Sequence, residues 1–514
     1  MTRVIPRDDP TRNTTPTRRD RPAPVPEEVS RANLAALTAQ ARADMALTGH
    51  NRDWVPAPAD GALNVLVIGG GQAGLGAAFA LSRHRIGAVK VLEAGPPQEA
   101  GCWTRYARMH TLRSPKNMKG IELDVPSLHT GRWFEAKYGA EAWAATDLTP
   151  REDWNEYLTW YRETTGTDVD FHTRITGVNW PDEDGYFRVT ALRDGRPVTY
   201  RARRVVFATG LVGGGGPFLP PLVEALPAQF RAHTQDPVDA TALRGRRVIV
   251  LGGGASGFDN ASVALEAGAA SVEMHVRRPD IPRHNSLRWM EFPGMQEHFF
   301  DLTDEQKWEF SLVNGGLPQP PTQASVWRAF AHDNFRLLTD TRWAAAGVQD
   351  GPAGPEVVVT DDRGGTHVGD VVISATGYTV DLGLRPELAE FLPHIALWSD
   401  RFAPAAGHPM GRCPYLGDGF QFQAKEGTAP EVASCIARLF HLSTGARASH
   451  GVAGNQLSGI YAGVTRLADR VATDITRENW PEFFAGFRAF EHEEVASVGP
   501  HRAGEPWFPT SPRY

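Results

Sequence analysis

An α/β fold built on two parallel sheets is the class that the sequence predicts, on three observations. A buried strand runs into a glycine-rich turn at residues 65–78, VLVIGGGQAGLGAA, and the same pattern recurs at 248–259, VIVLGGGASGFD. A later apolar strand follows each motif and ends in Ala-Thr-Gly, VVFATG at Gly210 and VVISATG at Gly377. One glycine-rich turn alone is weak evidence. Two turns with two such strands predict two Rossmann-like dinucleotide-binding domains, the second inserted into the first.

The first motif carries three glycines at G-x-G-x-x-G spacing, and each has its own physical reason. Gly69 allows the tight turn from strand to helix, Gly71 lets the backbone approach a pyrophosphate, and Gly74 lets the helix pack closely on the strand. The next strand closes at Glu93, 24 residues beyond Gly69 (93 minus 69). A carboxylate there accepts hydrogen bonds from a ribose diol, so we expect an adenine dinucleotide at this site.

The second motif places Gly252, Gly254 and Gly257 at the same spacing, but its second strand ends in the basic pair Arg277 and Arg278. Arg277 lies 25 residues beyond Gly252 (277 minus 252). Guanidinium groups suit a 2′-phosphate, whereas the glutamate of the first motif suits a free diol. The sequence therefore assigns FAD to the first site and NADPH to the second. The alternative interpretation is that Arg277 and Arg278 form a solvated basic turn, in which case the second site could bind NADH instead.

The composition excludes several classes of protein. A chain of 514 residues with 41% hydrophobic content buries large cores, and its net charge of -7 gives no attraction to nucleic acid or anionic membrane. The N-terminus has no apolar segment of a secretory signal. The chain has three cysteines and no C-x-x-C pair. We therefore expect a protein of the reducing cytoplasm, without a redox dithiol and without a metal site. Oxidation chemistry must therefore come from a bound cofactor.

Local patterns predict the remaining elements and the domain limits. The elements, in order, are a helix at 27–48, a loop at 102–117, a helix at 151–165 with its aromatic residues in the core, a β-meander at 168–209, a hinge at 213–217, a hairpin turn at 361–365 and a helix at 456–475. The segments are a disordered tail at 1–26, an FAD-binding domain at 27–235 and 370–485, an NADPH-binding domain at 236–369 and a C-terminal extension at 486–514.

Together, GGGQAG, the turn Gly101-Cys102-Trp103, GGGASG and ISATGY resemble the class B flavoprotein monooxygenases over residues 60–475. The resemblance implies that NADPH reduces the flavin, that oxygen adds to form a flavin hydroperoxide, and that one oxygen atom reaches a small-molecule substrate. It places Trp103 near the flavin ring, with core packing as the alternative, and Ser256 beside the NADPH phosphates. The two Ala-Thr-Gly ends add four predicted cofactor-binding residues, Thr209, Gly210, Thr376 and Gly377.

The subclass motifs favour amine N-hydroxylation. The Baeyer-Villiger fingerprint is incomplete, because FRAHTQDPVDATALRG lacks its glycine and its last aromatic residue. The segment TLRSPKNM is similar to the flavin-containing monooxygenases but has no asparagine at their active-site position. The run from Asp370 to Tyr378 is nearer to the N-hydroxylase pattern, although no histidine follows it. Baeyer-Villiger oxygenation, S-oxygenation, and a non-oxygenating reductase or redox sensor remain the alternatives.

The predicted catalytic residues are Arg113, Lys116 and Asn285. Arg113 and Lys116 lie in the loop expected to cover the flavin, where a cation can bind NADP or an acidic substrate, or stabilise a developing oxyanion. The alternative is that both are solvated surface charges without a function. Asn285 resembles an N-hydroxylase asparagine that touches substrate, and capping of a turn is the alternative. Leu457 resembles a residue on the flavin side, and we expect His450 to be a structural hydrogen bonder. The oligomeric state stays open, a homo-oligomer included.

Overall fold

The computed structural model describes residues 3–4, 22–50, 53–317, 319–454, 456–492, 495 and 498–504. Its strands are β1 (Arg3–Val4), β2 (Leu63–Ile68), β3 (Val89–Leu92), β4 (Val169–Asp170), β5 (Thr173–Pro181), β6 (Phe187–Arg193), β7 (Arg196–Gly210), β8 (Gly215–Pro217), β9 (Arg231–His233), β10 (Arg247–Leu251), β11 (Ser271–Val276), β12 (Phe335–Thr339), β13 (Trp343–Gly351), β14 (Gly354–Asp361), β15 (Thr366–Gly369), β16 (Val371–Ser374), β17 (Tyr378–Val380) and β18 (Leu439–Ser443).

The α-helices separate and flank these strands. They are α1 (Glu27–Thr48), α2 (Gln72–Arg83), α3 (Thr130–Tyr138), α4 (Ala140–Ala145), α5 (Arg151–Thr165), α6 (Pro221–Glu224), α7 (Ala255–Glu266), α8 (Ser286–Trp289), α9 (Pro293–Glu297), α10 (Asp304–Gly316), α11 (Gln323–Phe330), α12 (Trp398–Arg401), α13 (Pro430–Ile436), α14 (Arg447–His450), α15 (Ile460–Glu478) and α16 (Trp480–Arg488). The predicted helices at 27–48 and 151–165 are confirmed as α1 and α5. The predicted helix at 456–475 begins as a 3-10 turn and continues as α15.

The first sheet carries the first glycine motif between β2 and α2. Its strands lie in the order β4-β3-β2-β7-β6-β5, and β18 pairs with β7 as well. Strands β2, β3 and β7 pair in parallel, whereas β5, β6 and β7 form the predicted antiparallel meander. Val65, Val67, Val205 and Val206 are fully buried at the centre of the sheet. The strand that ends in Ala-Thr-Gly is thus the direct neighbour of the strand that enters the glycine turn.

The second sheet repeats this arrangement around the second motif. Its order is β1-β12-β11-β10-β16-β9, with β10 parallel to both β11 and β16. A three-stranded antiparallel sheet of β13, β14 and β15 follows β12, and its second turn lies at the predicted 361–365. Two parallel sheets with helices on them confirm the predicted α/β class.

Three strands of the second sheet, β1, β9 and β16, lie outside the predicted NADPH-binding segment at 236–369. Strand β9 pairs with β16, and β16 pairs with β10, with Ser374 opposite Leu251. The second sheet therefore extends beyond the predicted segment by β9 on one side and β16 on the other, because the chain leaves this sheet only after Ser374. The short ribbon of β8 and β17 joins the segment that enters this sheet to the segment that leaves it. The division into domains itself stays a prediction.

The terminal predictions are covered only in part by the described residues. Residues 3 and 4 of the predicted tail form β1 on the edge strand β12, and residue 27 already starts α1. Most of the tail, and the end of the predicted C-terminal extension, lie outside the described residues. Among those that the structure describes, no helix combines the length and apolar character needed to cross a bilayer. The cytoplasmic location stays a prediction.

Candidate functional site

Two glycines of the first motif are required by the packing of the protein itself. Gly69 has φ +111°, and a Cβ atom there would lie 2.4 Å from the carbonyl oxygen of Ala208 on β7. A Cβ atom on Gly74 would lie 1.8 Å from the carbonyl oxygen of Gly69. Any larger residue at either position would push the strand, the turn and α2 apart. The close approach of β2, β7 and α2 therefore explains both glycines without a ligand.

Gly71 is different, because no crowding by the protein explains it. Its φ is -75°, which any residue adopts, and a Cβ atom would make only an ordinary 3.4 Å contact with Cα of Gly101. A side chain at this place would instead cover the backbone amides at the N-terminus of α2, where a pyrophosphate binds. The first motif thus fits a dinucleotide through the one glycine that the fold does not need.

Glu93 follows β3 directly, and two backbone amides hold its carboxylate in place. It is buried, and its Oε2 accepts a hydrogen bond from Gly70 N at 2.9 Å while its Oε1 accepts one from Gly95 N at 2.8 Å. Each carboxylate oxygen keeps a second lone pair, so the group can still accept the two hydroxyls of a ribose. The geometry fits the predicted role in adenosine binding.

The other residues predicted for the first site gather around the same edge of the sheet. Thr209 is the second-last residue of β7, and its buried hydroxyl has no hydrogen-bond partner among the described residues. Gly210 ends the strand with φ +67°. Trp103 is half-buried, packs edge-on against Trp154 with ring centroids 6.3 Å apart, and accepts a hydrogen bond at its carbonyl. Leu457 lies in the turn before α15 and shares a small cavity with Trp154.

The second motif divides its glycines in the same way. Gly252 has φ +120°, and a Cβ atom there would lie 2.5 Å from the carbonyl oxygen of Ala375. A Cβ atom on Gly257 would lie 2.2 Å from the carbonyl oxygen of Gly252. Gly254, the counterpart of Gly71, would find its nearest neighbour 4.0 Å away at the carbonyl oxygen of Gln319. The second motif therefore also keeps an open backbone at the start of its helix.

The residue that corresponds to Glu93 in the second motif is Val276. Gly252 N donates to the carbonyl of His275 as Gly69 N donates to the carbonyl of Leu92, so the next residue in each case occupies the same place. Val276 stands 24 residues beyond Gly252 (276 minus 252), the spacing of the first motif. A neutral side chain there neither binds a ribose diol nor repels a phosphate. Our sequence reasoning missed this residue, although the spacing contained the signal.

The predicted phosphate-binding residues surround this neutral position. Arg277 and Arg278 follow Val276 directly and are exposed, and neither guanidinium has a hydrogen-bond or ion-pair partner among the residues that the structure describes. Ser256 is exposed in the first turn of α7, next to the open backbone of Gly254. The three polar side chains fit a nucleotide phosphate at the carboxyl edge of the second sheet.

The second Ala-Thr-Gly end contacts the protein rather than an open space. Thr376 Oγ1 donates to the carbonyl of Phe218 at 2.5 Å, and the carbonyl of Gly377 accepts a hydrogen bond from Phe218 N at 2.9 Å. His233 Nε2 also faces that carbonyl at 3.0 Å. These contacts fix the segment that leaves β16 against the segment that enters the second sheet. Cofactor binding by Thr376 and Gly377 stays a prediction.

Both cations predicted as catalytic, Arg113 and Lys116, have partners in the fold. Arg113 Nη2 lies 2.5 Å from Asp259 Oδ2 on α7. Lys116 Nζ donates to the carbonyl of Trp143 at 2.6 Å and lies 4.7 Å from the centre of the ring. The sequence could not show these partners, because they are 146 and 27 residues away. A catalytic role for either cation stays a prediction.

Asn285 and His450 both make structural hydrogen bonds. Asn285 caps α8, because its Oδ1 accepts a hydrogen bond from Leu287 N at 3.1 Å. His450 is buried, its Nε2 faces the carbonyl of Gly417 at 2.9 Å, and its ring stacks on Phe420 with centroids 3.7 Å apart. Burial lowers the pKa of His450 to about 3. The structural interpretation of His450 is supported, and substrate contact by Asn285 stays a prediction.

A cluster of Glu273, His275 and His367 was not expected from the sequence, and its ligand atoms lie within 4.8 Å of one another. Trp343 Nε1 donates to His275 Nδ1 at 2.9 Å, so the ring proton must sit on Nε2, which faces Glu273 Oε2 at 3.4 Å. A metal ligand nitrogen must be unprotonated. The tautomer therefore fits a hydrogen-bond network between β11 and the three-stranded sheet of β13, β14 and β15, and it does not fit a metal site.

The comparisons with known proteins agree with this arrangement. The family described as pyridine nucleotide-disulphide oxidoreductase matches residues 66–310. A relative from Xanthomonas campestris pv. campestris, called FAD-dependent urate hydroxylase, is 38% identical over 476 residues, which are 91% of this chain and 98% of that protein.

Solved structures with low sequence identity share the fold. The ornithine N-hydroxylase of Kutzneria sp. 744 aligns with a TM-score of 0.62 at 17% identity, over 80% of this chain and 99% of its own. The reduced ornithine hydroxylase of Pseudomonas aeruginosa aligns with a TM-score of 0.61 at 15% identity, over 80% of this chain and 100% of its own. At these identities the likeness shows the fold and carries no information on the substrate.

Proposed function

The chain belongs to the class B flavoprotein monooxygenases, and we propose that within this family it hydroxylates a small nitrogen heterocycle of the urate type. FAD and NADPH are its cofactors. In the reaction, NADPH and a proton reduce one O₂; one oxygen atom enters the substrate and the other leaves as water. The observation that carries the substrate class is the 38% identity with a urate hydroxylase along 98% of its length.

The residues of this chain bind and orient the two cofactors. The open backbone at Gly71 and the carboxylate of Glu93 would hold the pyrophosphate and adenosine ribose of FAD. The open backbone at Gly254, the neutral Val276 and the guanidinium groups of Arg277 and Arg278 would hold NADPH and its 2′-phosphate. When bound, the flavin supplies the oxygen chemistry. The protein contributes orientation and the exclusion of water.

Amine N-hydroxylation is the second candidate. It is favoured by the run from Asp370 to Tyr378, which resembles the N-hydroxylase pattern. The urate-type substrate is the stronger proposal, because one near-complete alignment outweighs a motif of nine residues. Both candidates share the two cofactors and differ only in the group that receives oxygen.

A substrate panel tests the proposal. The purified protein is mixed with NADPH and O₂, and with either urate or a primary alkylamine such as ornithine. We expect urate to increase NADPH consumption and to yield a product heavier by one oxygen atom. Oxygen transfer to the amine alone would favour the second candidate. Release of hydrogen peroxide with every compound, and no oxygenated product, would reject both candidates and favour an oxidase or a redox sensor.

A further inference from the structure

One ion pair and one bridging arginine join the predicted flavin loop, residues 102–117, to the helix that follows the second glycine motif. We propose that Asp259 and Arg328 are positioning residues for monooxygenation, which hold the flavin loop closed against α7. The proposal rests on the proposed function only in assuming that the first site holds FAD and the second NADPH. Neither Asp259 nor Arg328 is among the site residues predicted from the sequence.

The first contact joins Arg113 of the flavin loop to Asp259 in the first half of α7. Arg113 Nη2 lies 2.5 Å from Asp259 Oδ2, and the aspartate side chain is only 4% exposed. Asp259 Oδ1 accepts a hydrogen bond from Ser325 Oγ at 2.7 Å, so both carboxylate oxygens are engaged. A buried carboxylate held from two sides has one orientation, and it fixes the guanidinium that it binds.

The second contact joins the loop to the end of the same helix through α11. Arg328 Nη1 donates to the carbonyl of Arg108 in the flavin loop at 2.9 Å. The same guanidinium binds both oxygens of Glu266, with Nε at 2.5 Å and Nη2 at 2.6 Å. Asp259 and Glu266 are seven residues apart and therefore lie on one face of α7, two turns from each other. The loop is thus attached at two points along one helix face.

This attachment makes loop closure depend on the position of the NADPH-binding helix. The N-terminus of α7 carries Gly254 and Ser256, where the nucleotide phosphates are expected. If the loop opens, water reaches the flavin and the oxygen is not transferred. The electrons then go to peroxide: NADPH, one proton and O₂ give NADP⁺ and H₂O₂. The two contacts should therefore determine the rate at which NADPH is oxidised with release of H₂O₂.

The test is the rate of NADPH-dependent H₂O₂ release by the full chain loaded with FAD, measured without any substrate. Asp259→Asn keeps the shape and the acceptor for Ser325 but removes the charge that binds Arg113. We expect it to retain FAD and its thermal midpoint, and to release H₂O₂ about tenfold faster, since misplacement of a reacting group by about 1 Å costs up to about 100-fold. Arg113→Gln should have the same effect, and the double variant should add nothing further.

Asp370→Asn is the matched control. Asp370 Oδ1 pairs with Arg247 Nη2 at the same 2.5 Å, at the amino ends of β10 and β16 and so at the opposite edge of the sheet. Its H₂O₂ release should equal that of the unmodified protein. An unchanged rate in Asp259→Asn, an equal increase in the control, or additive effects in the double variant would overturn the proposal. If Asp259→Asn does not fold, Arg113→Gln alone decides.

The outcome is separable from the proposed function. No substrate is present, so a protein that oxygenates amines instead of urate would give the same result. If the protein binds no FAD, or if NADPH does not reduce its flavin, the cofactor assignment is refuted and both proposals fail with it. Loss of thermal stability without a change in peroxide release would show a merely structural role and would refute only the positioning role.

Discussion

Replacing Arg277 and Arg278 by alanine should abolish the preference for NADPH over NADH. Both guanidinium groups are exposed and unpaired within the described residues, so each can donate to a 2′-phosphate without first breaking a contact. Hydrogen bonds to charged groups contribute about 1.5–3 kcal/mol, and screening at the surface reduces this. We expect a combined preference of about 1–3 kcal/mol, or about 5- to 150-fold in the ratio of dissociation constants.

The converse substitution, Val276→Glu, should turn the preference toward NADH. Val276 and Glu93 occupy equivalent places, because a Cβ atom on Gly253 would lie 2.6 Å from Val276 Cγ2, and one on Gly70 would lie 2.8 Å from Glu93 Cβ. A glutamate therefore fits the local backbone, binds the free diol of NADH and repels the 2′-phosphate of NADPH.

The assay is the rate of flavin reduction as a function of NADPH or NADH concentration, which gives a dissociation constant for each nucleotide. Arg246→Ala is the control, because Arg246 is an exposed arginine that precedes β10 at the opposite edge of the same sheet. It should leave the ratio unchanged. Equal use of the two nucleotides by the unmodified protein, or an unchanged ratio in the double alanine variant, would refute the reasoning.

Two further predictions concern cofactor retention and acid stability. Gly71→Val should be folded by circular dichroism, because its Cβ meets only Gly101 at 3.4 Å, but it should show no flavin absorbance. Gly74→Ala should not fold, since its Cβ would lie 1.8 Å from a carbonyl oxygen. A Gly71→Val protein that retains yellow flavin would contradict the site assignment. Burial lowers the pKa of His441 and His450 to about 3, below the ~6.5 of an unfolded chain. The unfolded chain therefore binds protons that the fold excludes, and stability is lost as pH falls below about 6.5, by up to about 1.4 kcal/mol per pH unit for each histidine. Urea unfolding at several pH values should show this slope, and His450→Gln should reduce it by the share of one histidine, up to about 1.4 kcal/mol per pH unit. An unchanged slope in this variant would exclude His450 as a source.

The sequence alone determined the features that depend on local backbone geometry. The two glycine turns, the strands around them and the place of Glu93 follow from spacing along the chain, because a strand, a tight turn and a helix of fixed rise set where each residue falls. The same reasoning predicted α1 and α5 with their bounds. The family could also be predicted, since its motifs are short, ordered and tied to cofactor phosphates.

Only the tertiary structure decided what the side chains meet. The segment TLRSPKN around Arg113 contains no carboxylate, yet Asp259, 146 residues away in the chain, lies 2.5 Å from Arg113 after folding. The strand β16 joined the second sheet because its register fits β10, which no local pattern could reveal. The spacing pointed to Val276, but only the matching hydrogen bonds of Gly69 N and Gly252 N established its equivalence with Glu93. Backbone conformation is set by neighbours in the chain, whereas ion pairs and burial are set by segments that approach one another only in the folded state.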